Sequence, residues 1–300
     1  MSEEDDDKVT DLLCCAACGI AEIDEIKLME CDACDLVKYC SDECQRDHKS
    51  QHEEDCKKRA AELRDELLFK QPEISHLGDC PICCLPLPLD LRKSSINACC
   101  GKFICNGCTF ANQKRQLEQN RDPLCPFCRK LTPKTKKEHD KRMKKRIKAN
   151  DPVVLCDEGG NQYVKGYRSR GFEYWTKAAQ LGNAEAHYQL AHLYCEGIVV
   201  EKDIGKSNYH LEEAAIGGHP SARYNLGCEE IDNGNVERAV KHWIIAATQG
   251  CDDSVKSLMN AFKRGECSKD ELASTLRAHH AAVDAMKSPQ REAALNRNSM

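Results

Sequence analysis

Fifteen cysteines and one histidine between Cys15 and Cys128 fall into two sets of eight, and thiols and imidazoles spaced in this way bind metal ions. The first set runs Cys15-x2-Cys18-x12-Cys31-x2-Cys34-x5-Cys40-x3-Cys44-x7-His52-x3-Cys56. The second runs Cys80-x2-Cys83-x15-Cys99-Cys100-x4-Cys105-x2-Cys108-x16-Cys125-x2-Cys128. Zinc takes four such ligands in a tetrahedron, and a site closed by protein ligands is structural rather than catalytic. One Cys-x2-Cys pair is a weak signal, whereas four half-sites in a row, twice over, are a strong one. Cys40–Cys44 and His52–Cys56 are spaced i, i+4, which puts both members on one helix face, and the Cys-x2-Cys pairs suit tight turns. Cys14 and Cys84 are spare neighbours.

The chain has 300 residues and 22 cysteines, 17 of them before residue 129. A disulfide framework would need an oxidising compartment. The start, MSEEDDDKVT, is acidic and has no apolar run, so no secretory signal is expected. No run of about 18 apolar residues exists to span a membrane. The expected location is cytoplasmic and/or nuclear, with thiols reduced and free for metal. Blocks this short bury too little apolar surface to fold alone, so metal binding has to supply much of their stability.

These blocks must be positioned by what surrounds them. Residues 1–13 read as an acidic disordered tail, 14–56 as the first metal block, 57–79 as a short helix and linker, and 80–130 as the second block. Residues 131–149 read as a basic helical connector; the stretch 130–150 holds ten Lys or Arg against two acids. Met143 and Ile147, four apart, suit a solvated helix, and the run lacks the aromatics that stack on single strands, so a nucleic-acid role is not expected. From 150 to 287 the sequence repeats, and 288–300 reads as a C-terminal tail. The pairs Ala178-Ala179, Ala214-Ala215 and Ala246-Ala247 recur at 36 and then 32 residues, with Gly182, Gly218 and Gly250 keeping step. Each repeat is two apolar-periodic stretches split by a turn, about four helical hairpins in all, which is an α-solenoid. The fold class expected is therefore two small zinc-stabilised α+β modules followed by an all-α solenoid. Trp175 and Trp243 hold equivalent positions and read as core.

The repeat residues resemble Sel-one-like repeats, relatives of the tetratricopeptide class, in Ala186-His-Tyr188-Gln-Leu190-Ala191, Ala222-Arg-Tyr224-Asn-Leu226-Gly227 and Tyr174-Trp175-Thr-Lys177-Ala178-Ala179. The first block resembles the MYND zinc finger at all eight ligand positions, with Val37, Tyr39, Ser41 and Gln45 at their family places and Lys49-Ser50 where the family often has tryptophan. That resemblance implies one zinc on Cys15, Cys18, Cys40 and Cys44, another on Cys31, Cys34, His52 and Cys56, and binding of short proline-containing peptides. Cys80-Pro81-Ile82-Cys83 and Cys125-Pro126-Phe127-Cys128-Arg129 resemble the two ends of a RING domain. Lys102 stands at the usual histidine position and, being protonated, cannot ligate zinc. Either Cys99 and Cys100 both serve, as in an all-cysteine RING, or the second site is incomplete. The first case places one ion on Cys80, Cys83, Cys105 and Cys108 and another on Cys99, Cys100, Cys125 and Cys128. The chain then holds four zinc ions, and otherwise three.

The RING resemblance implies a ubiquitin-protein ligase that supplies no nucleophile. It would dock a ubiquitin-conjugating enzyme on Ile82, Phe110 and Pro126, orient ubiquitin with Arg129, and take clients through the MYND finger and the repeats. The alternative is a non-catalytic adaptor assembling protein complexes.

Overall fold

A computed structural model describes residues 14–297. The acidic segment 1–13 lies outside the described residues. The chain divides into two units, Met1–Lys70 and Gln71–Met300.

In the first unit, β1 (Met29–Glu30) pairs antiparallel with β2 (Lys38–Tyr39), Met29 opposite Tyr39. A single helix, α1 (Asp42–Phe69), follows. Ser41 caps it by accepting a hydrogen bond from Cys44 N, and Asp42 and Glu43 in its first turn complement the helix dipole. The sequence suggested a separate short helix after residue 56. Instead α1 runs through, because no Gly or Pro interrupts residues 57–70 and Ala60, Ala61, Leu63 and Leu67 are strong helix formers. Arg59 ties the helix to the preceding loop with a two-pronged bond to Asp35, at 2.7 and 2.8 Å.

The second unit opens with the second cysteine block. β3 (Ser94–Ile96) pairs antiparallel with β4 (Phe103–Cys105), Ser94 opposite Cys105. α2 (Asn106–Glu118) starts where Cys105 Sγ accepts from Cys108 N. Leu87 and Ile104 make a small core with the buried cysteines. α3 (Lys136–Lys148) turns its charges outward and buries Met143 against Ala98 and Val154, so the basic run is the wet face of a strut between the block and the repeats.

The repeats are paired helices: α4 (Pro152–Val164) with α5 (Arg168–Gln180), α6 (Ala184–Glu196) with α7 (Ile204–Ile216), and α8 (Pro220–Asp232) with α9 (Val236–Thr248). α10 (Asp252–Lys263) and α11 (Lys269–Ala285) complete the array, the latter opened by a capping box of Ser268 and Glu271. The expected alanine pairs are buried between helices. Gly182, Gly218 and Gly250 adopt φ of +79°, +80° and +94° before each new hairpin, a conformation costly to other residues. Trp175 and Trp243 sit in equivalent places. Each indole donates to a carbonyl nineteen residues back, on Cys156 and Tyr224, and covers a glycine, Gly159 or Gly227.

The stretch read as a tail from 288 carries α12 (Pro289–Arg297), which packs on α2. Ser288 accepts from Arg291 N and Pro289 takes the first helical position, a start signal that hides in so short a segment. Among the described residues no helix is long and apolar enough to cross a membrane.

Candidate metal centres

The structure gathers the sixteen candidate ligands into four groups, within each of which the ligand atoms lie within 4.8 Å of one another. They are Cys15, Cys18, Cys40 and Cys44; Cys31, Cys34, His52 and Cys56; Cys80, Cys83, Cys105 and Cys108; and Cys99, Cys100, Cys125 and Cys128. In both blocks the first and third ligand pairs share a centre, as do the second and fourth, so each block is cross-braced.

The donor geometry fits zinc. Thiolates about 2.3 Å from a tetrahedral centre lie roughly 3.8 Å apart. The sulfurs of Cys18 and Cys40 are 3.6 Å apart, those of Cys31 and Cys56 3.7 Å, of Cys83 and Cys105 4.0 Å, and of Cys100 and Cys125 3.9 Å. Disulfide sulfurs would be about 2.05 Å apart. Cys34 Sγ lies 3.1 Å from His52 Nε2.

Local turns set these positions. In three knuckles the residue after the second cysteine returns its N–H to the carbonyl of the first: Gly19 to Cys15, Cys84 to Cys80 and Arg129 to Cys125, at 2.9, 2.9 and 3.0 Å. All three are left-handed, with φ of +74°, +54° and +57°. Burial would raise the Cys15 and Cys80 thiols, but backbone N–H groups from their own knuckles and from the partner cysteine outweigh it and bring them to about 6 and about 7. The shift in both favours the thiolate, the form that binds metal. Hydrogen bonds with Cys18 and Cys44 push Cys40 the other way, up to about 12. Four thiolates this close are stable together only around a cation.

Cys99 and Cys100 both point into the last group, and Lys102 is exposed and takes no part. Gly101, at φ +67°, turns the chain there; a Cβ on it would strike Asp151 and Arg146. Arg146 grips Asp151 through Nε and Nη2, at 2.8 and 2.6 Å, and its Nη1 donates to Cys99 O at 3.4 Å. At the other centre Arg291, only 8% exposed, donates to Pro86 O at 2.7 Å, Leu85 O at 3.2 Å and Cys83 Sγ at 3.5 Å. Sequence reasoning missed both arginines, since each reaches a cysteine block from far along the chain, Arg146 to Cys99 and Arg291 to Cys83. Of the docking candidates, Ile82 is 39% exposed, Phe110 and Pro126 are half-buried, and Arg129 is exposed. Phe127 is exposed beside Pro126 and was not singled out.

A fifth cluster, His76, Glu185 and His219, has the residue types of a metal site but different chemistry. His219 Nδ1 accepts from Ala222 N, so its proton sits on Nε2 and is donated to Glu185 Oε2 at 3.1 Å. The His76 and His219 rings are stacked 4.1 Å apart and 22° from parallel, so no ion can lie in both ring planes. Burial alone would raise the Glu185 carboxyl, but hydrogen bonds from His219 and His76 more than offset it and hold it well below the usual range. The cluster is a clasp holding the segment before the second block to the repeats, and His76 N also donates to Gly218 O at 3.0 Å.

Comparison with known families agrees with these divisions. Residues 15–56 match the MYND finger, and residues 160–183, 184–219 and 220–251 match the Sel1 repeat. Neither match includes the second cysteine block. The chain thus carries a MYND finger, which implies zinc, and Sel1 repeats. Modules of both kinds generally serve in protein–protein interaction. No curated protein matches it. Similar solved structures include a Sel1 repeat protein from Oxalobacter formigenes, 21% identical with a TM-score of 0.44, the match covering 55% of this chain and 50% of that one. Another is a protective antigen present in uropathogenic Escherichia coli strains displaying an SLR fold, 23% identical with a TM-score of 0.40, covering 49% and 33%. The chain spans about half the length of the first and a third of the second.

Proposed function

We propose that this protein is a zinc-dependent ubiquitin ligase. Its second cysteine block docks a conjugating enzyme, and the MYND finger and the repeats hold the client. Zinc would sit on the four gathered ligand groups and supply structural cross-links rather than chemistry. The observation that carries the reading is the interleaved, all-cysteine pair of centres in residues 80–128, followed at once by the exposed Arg129. Ile82 is exposed on the first knuckle, and Pro126 with Phe127 stands on the last. The block would act by positioning. A client lysine amine attacks the thioester carbonyl, an amide forms, and the enzyme's cysteine leaves as the thiol. Holding the two partners in register is a large part of such catalysis.

Autoubiquitination with a panel of conjugating enzymes tests this, comparing wild type with Ile82→Ala and Arg129→Ala. Chain formation is expected for wild type and should fall at least tenfold in both variants with zinc content unchanged. No activity across the panel, in protein with all four centres filled, overturns the ligase reading.

One observation favours the second reading, a non-catalytic adaptor. α12 packs on α2, the helix that carries Phe110, and Arg291 pins the loop after Cys83. On this reading the second block is a structural joint, and proline-containing peptides still bind the MYND finger in protein inert to every conjugating enzyme.

A further inference from the structure

Within the second unit, a cavity of about 600 Å³ lies between the β3–β4 hairpin and the first helices of the repeats. Ile96 and Phe103 of the hairpin line one side, and Tyr163 and Val164 of α4 the other. Its polar lining includes two carboxylates, Asp157 and Glu185, and one lysine, Lys165. His76 has a side chain only 7% exposed; its Nε2 faces Glu185 Oε2 at 3.5 Å, while Nδ1 is buried with no partner. With the proton on Nε2 beside the carboxylate, Nδ1 presents a lone pair that calls for a donor. Ser94 Oγ, also lining the cavity, is buried and unpartnered.

Asp157 adds charge. Its carboxylate accepts a bond from Asn161 Nδ2 at 3.1 Å, and His139 is the basic group that acts on it. Burial, and then the neighbouring Glu158, raise it above the usual carboxylate range. Such a group gains most from a cation brought into its low-dielectric surroundings. Lys165 is the one basic side chain lining the cavity, and it is exposed.

We propose that this cavity is a peptide-binding site that takes a lysine or arginine of a protein partner, flanked by apolar residues. The cation meets Asp157 and the donor-hungry His76, and the flanking residues meet Ile96, Phe103 and Tyr163. This names the chemistry of the client under the adaptor reading and rests on it. It needs no conjugating enzyme.

Fluorescence polarisation of full-length, zinc-loaded protein tests it, with labelled nonapeptide pools of apolar flanks. The central residue is fixed as Arg, Lys, norleucine or Glu. The Arg and Lys pools should bind at least tenfold tighter than the norleucine pool, and the Glu pool weakest. Asp157→Asn should erase that preference. Val164→Arg offers a variant whose folding is secure, because Val164 is 87% exposed. It places a competing cation at the cavity and should weaken the basic pools at least tenfold. Equal binding of the basic and norleucine pools, or undiminished binding by Val164→Arg, overturns the proposal. Autoubiquitination measured on the same protein separates this failure from that of the ligase reading.

Discussion

The two cysteine blocks pose one coordination problem in two settings. In the first, α1 supplies Cys44, His52 and Cys56, yet only His52 and Leu68 of its 28 residues are buried. Apart from the ligands that block has little core, and its arginine strut, Arg59 to Asp35, is partly exposed. The second block has Leu87 and Ile104 inside, α12 on its helix, and a buried or half-buried arginine at each centre. The ligand charge differs too. A zinc ion on four thiolates leaves a net charge of about −2, and replacing one thiolate by histidine leaves about −1. Both centres of the second block are of the more negative kind, and both have a guanidinium beside them. With zinc on all four groups as proposed, the metal would stand in for the core of the first block, whereas in the second it would be one member of a protein frame.

The largest expected effect breaks the comparison if it fails. Structural zinc contributes about 10–16 kcal/mol to folding where little else holds a module. Cys31→Ser should remove hydrogen-exchange protection throughout β1, β2 and the first half of α1. The matching substitution, Cys99→Ser, should lower zinc content while leaving β3, β4 and α2 measurably protected. Equal loss in both blocks would mean that the frame around the second contributes nothing.

Arg291→Ala comes next. It strips three half-buried carbonyls and a cysteine sulfur of a charged donor, a change worth about 2–3 kcal/mol. Zinc transfer to a chromogenic chelator should speed up for the centre of Cys83, and Arg291→Lys, which cannot span all four acceptors, should restore only part of the delay. Uniform release kinetics would remove Arg291 from the metal centre. Gly107→Ala tests the same contact from the opposite side. A Cβ there would lie 2.7 Å from Arg291 N, backbone that cannot swing away, and forced overpacking of this kind costs about 1–3 kcal/mol. Its chelator profile should resemble a mild form of Arg291→Ala.

What could be read in the chain follows the range of the forces. Ligand spacing is local, so the sixteen candidates were legible, while their grouping was only what the family resemblances implied; the alanine pairs and glycine turns of the repeats were legible too. Whether Cys99 and Cys100 both serve was open in the sequence, because it depends on Gly101 turning the backbone against Arg146 and Asp151. Continuity of α1 was missed by expecting a boundary where none of the residues breaks a helix. Arg291 reaches a carbonyl 205 positions away, and α12 is too short for its periodicity to stand out. Nothing local marks a side chain whose partners are supplied by the closed fold.

The smallest effect keeps the comparison honest under acid, which protonates thiolates in both blocks at once. The repeats have an acid weakness of their own. Burial, with a contribution from His187, lowers His210 to about 4, and the two Nδ1 atoms are 2.9 Å apart. Of the groups around it, the Glu213 carboxylate pulls the other way, and the rings of Tyr194 and Tyr209 are uncharged. An unfolded histidine titrates near 6.5, roughly. Between that value and about 4 the unfolded chain binds a proton that the folded chain refuses, so stability is intact above the upper value and falls as pH drops through the window. His210→Gln should flatten that fall in urea titrations between pH 7 and pH 4 by about one proton's worth of slope. Zinc release, common to variant and wild type, cancels in the difference. A variant with the wild-type slope would show that His210 is protonated in the folded repeats, and the whole acid response would then belong to the cysteine blocks.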